Sequence, residues 1–255
     1  MEHYFLRATI KKFKLQNIHI GEIKNIESIR NHIIDLNEKF FSNIDKNSWF
    51  NTIKNQYRLY SSVYRYIRTR EIIQNYVDIT HNKVIDFGSG NGVFLEFLNL
   101  NGVGVDINQN CVEHMRSIGI EAYALSELNY SFKNKFDSAF AFEVIEHVEN
   151  QLIVLNNIYE YIKDSGYLFV SIPYVKKSHI IKKQDEKKAT KRLENYHIFE
   201  LNTKDFKNLI THTNFELVNY VHLNPHQLSS NIFGNLLDKF FRADNPKWTI
   251  FILKK

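Results

Sequence analysis

Apolar residues recur at spacings of three and four over the first third of the chain, and that period predicts helices. Ile26, Ile29, Ile33, Leu36 and Phe40 form one stripe within residues 25–78. Trp49, Ile53, Tyr57, Tyr60, Tyr64, Ile67, Ile72 and Tyr76 form a second behind an N-cap at Asn47–Ser48. From Asn82 onward the period changes. Short apolar runs predict strands at Val84–Phe87, Gly102–Asp106, Ala122–Ala124, Phe136–Phe142 and Gly166–Ile172. Helical stretches at Val93–Leu100, Asn110–Ser117 and Leu152–Ile162 lie between them, and a helix at Thr203–Thr211 precedes two last strands, Phe215–Leu223 and Trp248–Leu253. Alternation of this kind predicts an α/β protein, a parallel sheet covered by helices on both faces.

The pattern divides the chain into an N-terminal helical cap, 1–80, and an α/β domain, 81–255, with inserts at 174–196 and 224–246. The first insert is polar and lysine-rich; the second carries the apolar run Ile232–Leu237. Cap and inserts are the parts expected to shape an acceptor pocket. Tyr57, Tyr60 and Tyr64, with Arg58, Arg65 and Arg68 nearby, offer either core packing with solvated arginines or a wall that recognises phosphate.

Formal net charge is +5, with much of the excess at Lys11–Lys14 and 176–192. An excess of that size permits an anionic small-molecule acceptor without requiring nucleic acid. The abundance of Ile, Asn and Lys matches the codon usage of an AT-rich, bacterial genome, so part of the lysine content needs no functional reason. Cys111 is the one cysteine, which excludes an internal disulfide and fits a reducing cytoplasm. No run of roughly eighteen apolar residues marks a membrane span, and Met1–Arg7 lacks the order of a signal peptide. The expectation is a cytoplasmic protein with no membrane partner.

The strongest local signal is Val84-Ile85-Asp86-Phe87-Gly88-Ser89-Gly90-Asn91-Gly92-Val93, a strand running into glycines and then a helix. Such a turn brings backbone close to a ligand. Asp106 ends the next strand, where an acid can bond both hydroxyls of a ribose or cap the following helix. A nicotinamide oxidoreductase is the alternative. Its fingerprint has a different glycine spacing, and an acid just before the glycines suits an ammonium group better than a pyrophosphate.

The order of elements from Val84 to Ile172, with these residues, resembles the class I S-adenosylmethionine-dependent methyltransferases. The resemblance covers Lys83 to Lys255. It implies a Rossmann-like sheet of seven strands, the last antiparallel, and S-adenosyl-L-methionine as cofactor. Asp86 would lie near the methionine end and Asp106 on the ribose, with Gly88, Ser89, Gly90, Asn91, Gly92, Ile107 and Glu143 completing the site. An acidic or polar residue beside the adenine is implied within Ala124–Glu127.

Phe142-Glu143-Val144-Ile145-Glu146-His147-Val148 follows the fourth strand and borders the carboxyl edge where such sheets bind ligands. If a helical turn begins there, Glu143, Glu146 and His147 converge as a site for a divalent cation. With Tyr196-His197-Ile198-Phe199-Glu200, the segment resembles two subgroups: the small-RNA 2′-O-methyltransferases and the ubiquinone-pathway O-methyltransferases. That likeness implies Glu143, Glu146, His147 and His197 as ligands of Mg²⁺ or Mn²⁺, which would activate an alcohol. Other readings stay open: His147 as a general base, or a purely structural segment. The expected reaction is O-methylation of a small hydroxylated or phosphorylated metabolite, for instance a sugar or nucleotide-activated precursor of a surface glycan. Methylation of RNA 3′ ends and a non-catalytic cofactor-binding partner subunit are the alternatives. RNA is disfavoured because the chain contains no known RNA-binding module.

Overall fold

The computed structural model describes residues 65, 66, 68–98, 100–180, 197–224 and 246–255; among them residues 68–74 are helical, and from Val84 onward nine strands and four α-helices follow one another. The strands are β1 (Val84–Phe87), β2 (Gly102–Asp106), β3 (Glu121–Ala124), β4 (Phe136–Phe142), β5 (Ile162–Pro173), β6 (His179–Ile180), β7 (Phe199–Glu200), β8 (Glu216–Leu223) and β9 (Trp248–Lys254). The helices are α1 (Val93–Leu98), α2 (Gln109–Ser117), α3 (Gln151–Tyr161) and α4 (Thr203–Ile210). The chain forms two compact units, Met1–Glu71 with Asn224–Asn245, and Ile72–Leu223 with Pro246–Lys255. The predicted helices before residue 65, the row Tyr57 to Tyr64, the insert over 225–245 and the lysines from 181 to 192 lie outside the described residues.

Seven strands of the second unit form one sheet in the order β3-β2-β1-β4-β5-β9-β8. The first five are parallel, while β9 runs antiparallel to both β5 and β8. Parallel strands are covered on both faces and therefore read as unbroken apolar runs; all four residues of β1 are buried, Asp86 among them. Alternation along a strand shows which helix covers which face. On β3, Tyr123 packs against the cluster containing Leu155, Ile158, Phe206 and Ile210 of α3 and α4, whereas Ala122 and Ala124 pack against Val112 and Met115 of α2. On β4, Ala139 and Ala141 belong to the α3–α4 side, and Phe140 meets Phe94 of α1 edge-on at 5.6 Å. The two faces are thus covered by α3 with α4 and by α1 with α2.

Asparagines begin three of the helices. Asn108, Asn150 and Asn202 accept from backbone N–H groups two or three residues on, at 3.0, 3.1 and 2.9 Å, which satisfies donors the helix itself leaves open. The opposite end of α3 is closed by Lys255, whose Nζ donates to Tyr159 O at 3.1 Å and Ile162 O at 2.8 Å. β5 begins earlier than its apolar run suggests: Ile162 already pairs with Phe136, and the register then shifts so that Tyr167 pairs with Ser138. Among the described residues no helix is long and apolar enough to cross a membrane.

Candidate cofactor and catalytic site

β1 delivers Phe87 into the glycine loop at the carboxyl edge of the sheet. Gly88 N and Ser89 N both donate to Val105 O, at 2.8 and 3.1 Å, fastening the loop to the end of β2. Gly88 has φ +67°, and a Cβ there would stand 2.5 Å from Val144 Cγ2. Only glycine fits that position. Gly90 has φ +55°, and a Cβ there would meet nothing within 4 Å, so its backbone faces open space that a ligand can enter.

Asp106 holds this loop in place. Its Oδ2 accepts from Gly90 N and its Oδ1 from Asn108 N, each at 2.8 Å. The N-cap of α2 is Asn108 rather than Asp106, so the capping alternative does not account for the acid. Asp86 is 3% exposed. Burial pushes its carboxyl well above the usual carboxylate range, and the negative charge of Asp106 pushes it further. A carboxyl under that penalty gains from a cationic ligand.

At the far end of β4 the backbone breaks sharply. Glu143 takes φ +56°, in the left-handed region, and is held there by Ser171. Ser171 Oγ accepts from Glu143 N at 3.0 Å and donates to Glu143 Oε1 at 2.8 Å. The turn that follows is a short 3-10 segment, Ile145–His147. Because the left-handed residue separates it from β4, Glu143 does not share a helical face with Glu146 and His147 as the sequence pattern suggested.

The atoms of Glu146, His147 and His197 that could bind a cation all lie within 4.8 Å of one another. Glu146 is 1% exposed, and its Oε1 stands 4.0 Å from His147 Nε2. The rings of His147 and His197 meet edge-on at 4.8 Å. Three of the four predicted ligands therefore come together, and Glu143 lies outside the group. Ile198 N donates to Glu146 O at 2.7 Å, tying the incoming chain to the 3-10 turn. The two-stranded β6–β7 pair, which the periodicity does not reveal, supplies supporting partners. Glu200 Oε1 lies 2.5 Å from His197 Nδ1 and Oε2 lies 3.0 Å from His179 Nε2. With Nδ1 donating to Glu200, His197 keeps its lone pair on Nε2. The motif His-x-Phe-Glu was a visible signal for Glu200; nothing marked His179.

A methyltransferase-domain family matches residues 57–220. The chain belongs to that family, the class I S-adenosylmethionine-dependent methyltransferases. The seven strands and the single antiparallel strand, the last, are those the resemblance implied, and the nicotinamide alternative falls. Among solved structures, an S-adenosylmethionine-dependent methyltransferase from Thermotoga maritima covers 81% of this chain and 98% of its own, with TM-score 0.53 and 20% identity. One from Archaeoglobus fulgidus covers 82% and 100%, with TM-score 0.53 and 16% identity. One from Mesorhizobium loti covers 73% and 96%, with TM-score 0.52 and 10% identity. These likenesses concern the fold. The ubiquinone biosynthesis O-methyltransferase of Rickettsia canadensis is 30% identical over 121 residues, 44% of this chain. The match spans about half of that relative, 51% of its length.

Proposed function

We propose that this methyltransferase passes the sulfonium methyl of S-adenosyl-L-methionine to a hydroxyl of a small hydroxylated or phosphorylated metabolite. The observation that carries the reading is the convergence of Glu146, His147 and His197 at the carboxyl end of β4. Val144 touches the loop at Gly88, so this group begins two residues from the cofactor loop. An alcohol is a poor nucleophile at neutral pH, while the sulfonium methyl needs an aligned lone pair. In the transfer the methyl carbon's bond to sulfur breaks, a bond to the acceptor oxygen forms, and S-adenosylhomocysteine leaves. The hydroxyl proton must go to a base; His147 is read as that base where no cation occupies the group, and as a ligand where one does. The rickettsial relative's assignment as an O-methyltransferase supports oxygen over nitrogen as the acceptor atom.

One carboxylate and two imidazoles suit Mn²⁺, which binds nitrogen more tightly than Mg²⁺ does, better than Mg²⁺, which prefers oxygen ligands. Such an ion on Glu146, His147 and His197 would lower the pKa of an acceptor hydroxyl. Glu200 orients His197 for that task, and Glu143, held by Ser171 at the strand end, is read as a cofactor contact. Asp86, Gly88 to Gly92, Asp106 and Ile107 complete the cofactor site. The AT-rich composition and the lone Cys111 support a bacterial, cytoplasmic enzyme.

The test is calorimetric titration with Mn²⁺ of the wild type, His147→Ala and His197→Ala, paired with methyl transfer from labelled cofactor to a panel of small alcohols and to an RNA bearing a free 3′-terminal ribose. Metal binding lost in both variants, with transfer to small alcohols, is the expected result. Transfer to RNA alone would move the reading to 3′-terminal 2′-O-methylation. Transfer with no metal response would leave His147 as the base, and cofactor binding with no turnover on any acceptor would favour a non-catalytic partner subunit.

A further inference from the structure

The short pair β6–β7 sets one carboxylate between two histidines. His179 and Glu200 stand opposite each other in the antiparallel pair, so their side chains share a face. Glu200 Oε2 lies 3.0 Å from His179 Nε2, and Glu200 Oε1 lies 2.5 Å from His197 Nδ1. The two histidines reach Glu200 from segments that are held separately. Ser178 Oγ donates to Asp205 Oδ2 at 2.5 Å and accepts from Asn202 N at 2.8 Å. Those bonds build the residue before His179 into the N-cap of α4. On the other side, Ile198 N donates to Glu146 O at 2.7 Å, which fixes the residue after His197 on the 3-10 turn.

The contact at His179 matters because of what a single contact leaves free. The last torsion of a glutamate and the ring torsion of a histidine both have broad minima. A carboxylate held at one oxygen can swing about that torsion, and an imidazole bonded to the oxygen turns with it. A contact on each oxygen fixes the carboxylate plane. Nδ1 of His197 then stays committed to Glu200, and Nε2 is the nitrogen that keeps a lone pair for the group with Glu146 and His147.

We propose that His179 is a positioning residue, which acts through Glu200 to fix the ring orientation and tautomer of His197. The group at the carboxyl end of β4 is thereby completed from a strand outside the main sheet. No change of protonation is involved, since a neutral imidazole with its hydrogen on Nε2 already offers a carboxylate a donor. The side chain of His179 is 52% exposed, so its effect is modest, about two- to fivefold. Removing Glu200 takes away a bond to a charged acceptor, an effect of at least about tenfold. The inference rests on the reading of Glu146, His147 and His197 as the working group.

The experiment is long-range ¹H–¹⁵N correlation spectroscopy of the full chain with ¹⁵N-labelled histidine, at about pH 9, where histidine is ordinarily neutral. His197 is assigned by the signal missing in His197→Gln. The wild type is expected to carry the His197 proton on Nδ1 and none on Nε2. The ratio of that tautomer to the other should fall about two- to fivefold in His179→Ala and at least about tenfold in Glu200→Ala. His179→Gln, whose amide N–H can reach the same oxygen, should restore the wild-type ratio. Calorimetric titration with Mn²⁺ should show affinity falling in the same order. A wild-type His197 protonated on Nε2, a ratio that His179→Ala leaves unchanged, or one that His179→Gln fails to restore overturns the inference, even where Mn²⁺ binds. The expected tautomers without Mn²⁺ binding overturn the metal reading instead, and leave His179 positioning a histidine of a metal-free group.

Discussion

Replacing Asp106 with alanine separates what this acid does for the fold from what it does for the ligand. Each carboxylate oxygen accepts one backbone N–H at 2.8 Å, from Gly90 and from Asn108. Bonds to a charged acceptor contribute about 1.5–3 kcal/mol each when shielded. Asp106 is only half-buried, and Gly90 faces open space, so water can replace part of what is lost. About half of the shielded value then stands, roughly 1.5–3 kcal/mol for the pair. An opposing effect trims it, because Asp106 repels the buried Asp86. The expected net loss is about 1–2 kcal/mol, which for a chain of this size lowers Tm by about 2–8 °C. Thermal unfolding followed by circular dichroism, without ligand, reads that loss. Repeated with S-adenosylhomocysteine at about a hundred times its Kd, the wild type should gain about 2.7 kcal/mol and Asp106→Ala nothing. Asp106→Asn, with a single acceptor oxygen, should fall between them without ligand. An unchanged Tm would refute the loop clasp, and an undiminished ligand shift in Asp106→Ala would refute the ribose role.

Three further outcomes follow from the same geometry. Asp86 has a folded pKa raised above its unfolded value, so the folded chain holds that proton more tightly; stability without ligand should fall as pH rises from about 3.8 through the folded pKa. Asp86→Asn should abolish this decline in a pH series of melts while weakening S-adenosylhomocysteine, whose affinity for the wild type should rise with pH over the same window. Gly90→Ala should cost only about 1 kcal/mol of left-handed strain yet block the cofactor, whereas Gly88→Ala should cost at least about 2 kcal/mol because its Cβ strikes Val144 Cγ2; urea melts and calorimetry on both variants distinguish these effects. Ser171→Ala removes the two side-chain bonds to Glu143, leaves the bond from Glu143 N to Ser171 O at 3.3 Å, and should destabilise by about 1–2 kcal/mol; an unchanged urea midpoint would show that the remaining contacts suffice to hold Glu143.

The core of the domain is legible in the sequence because parallel strands are buried on both faces and leave continuous apolar runs. Val84–Phe87, Gly102–Asp106 and Phe136–Phe142 are strands over the very residues expected. The glycine loop is legible for a related reason: positive φ and close backbone approach demand glycine, as at Gly88. The group around Glu146, His147 and His197 is less so. Glu143, Glu146 and His147 look like one helical face by spacing, but a non-glycine residue in the left-handed region leaves no mark in a sequence, and it turns Glu143 away. His179 and Glu200 meet through the pairing of two-residue strands, too short to show a period. The asparagines that an AT-rich composition makes abundant include three helix caps, since capping depends on where a helix starts and not on how common the residue is. Glu127, within the stretch implied for the adenine edge, spends its Oε2 on Ala124 N and Arg116, contacts set by the third dimension alone.

The most direct test of the central claim is calorimetric titration of the wild-type chain with S-adenosylhomocysteine and, separately, with NADH. One saturable site for S-adenosylhomocysteine, lost in Asp106→Ala, with no heat from NADH, is the predicted result. Saturable binding of NADH, or no binding of S-adenosylhomocysteine, would contradict it.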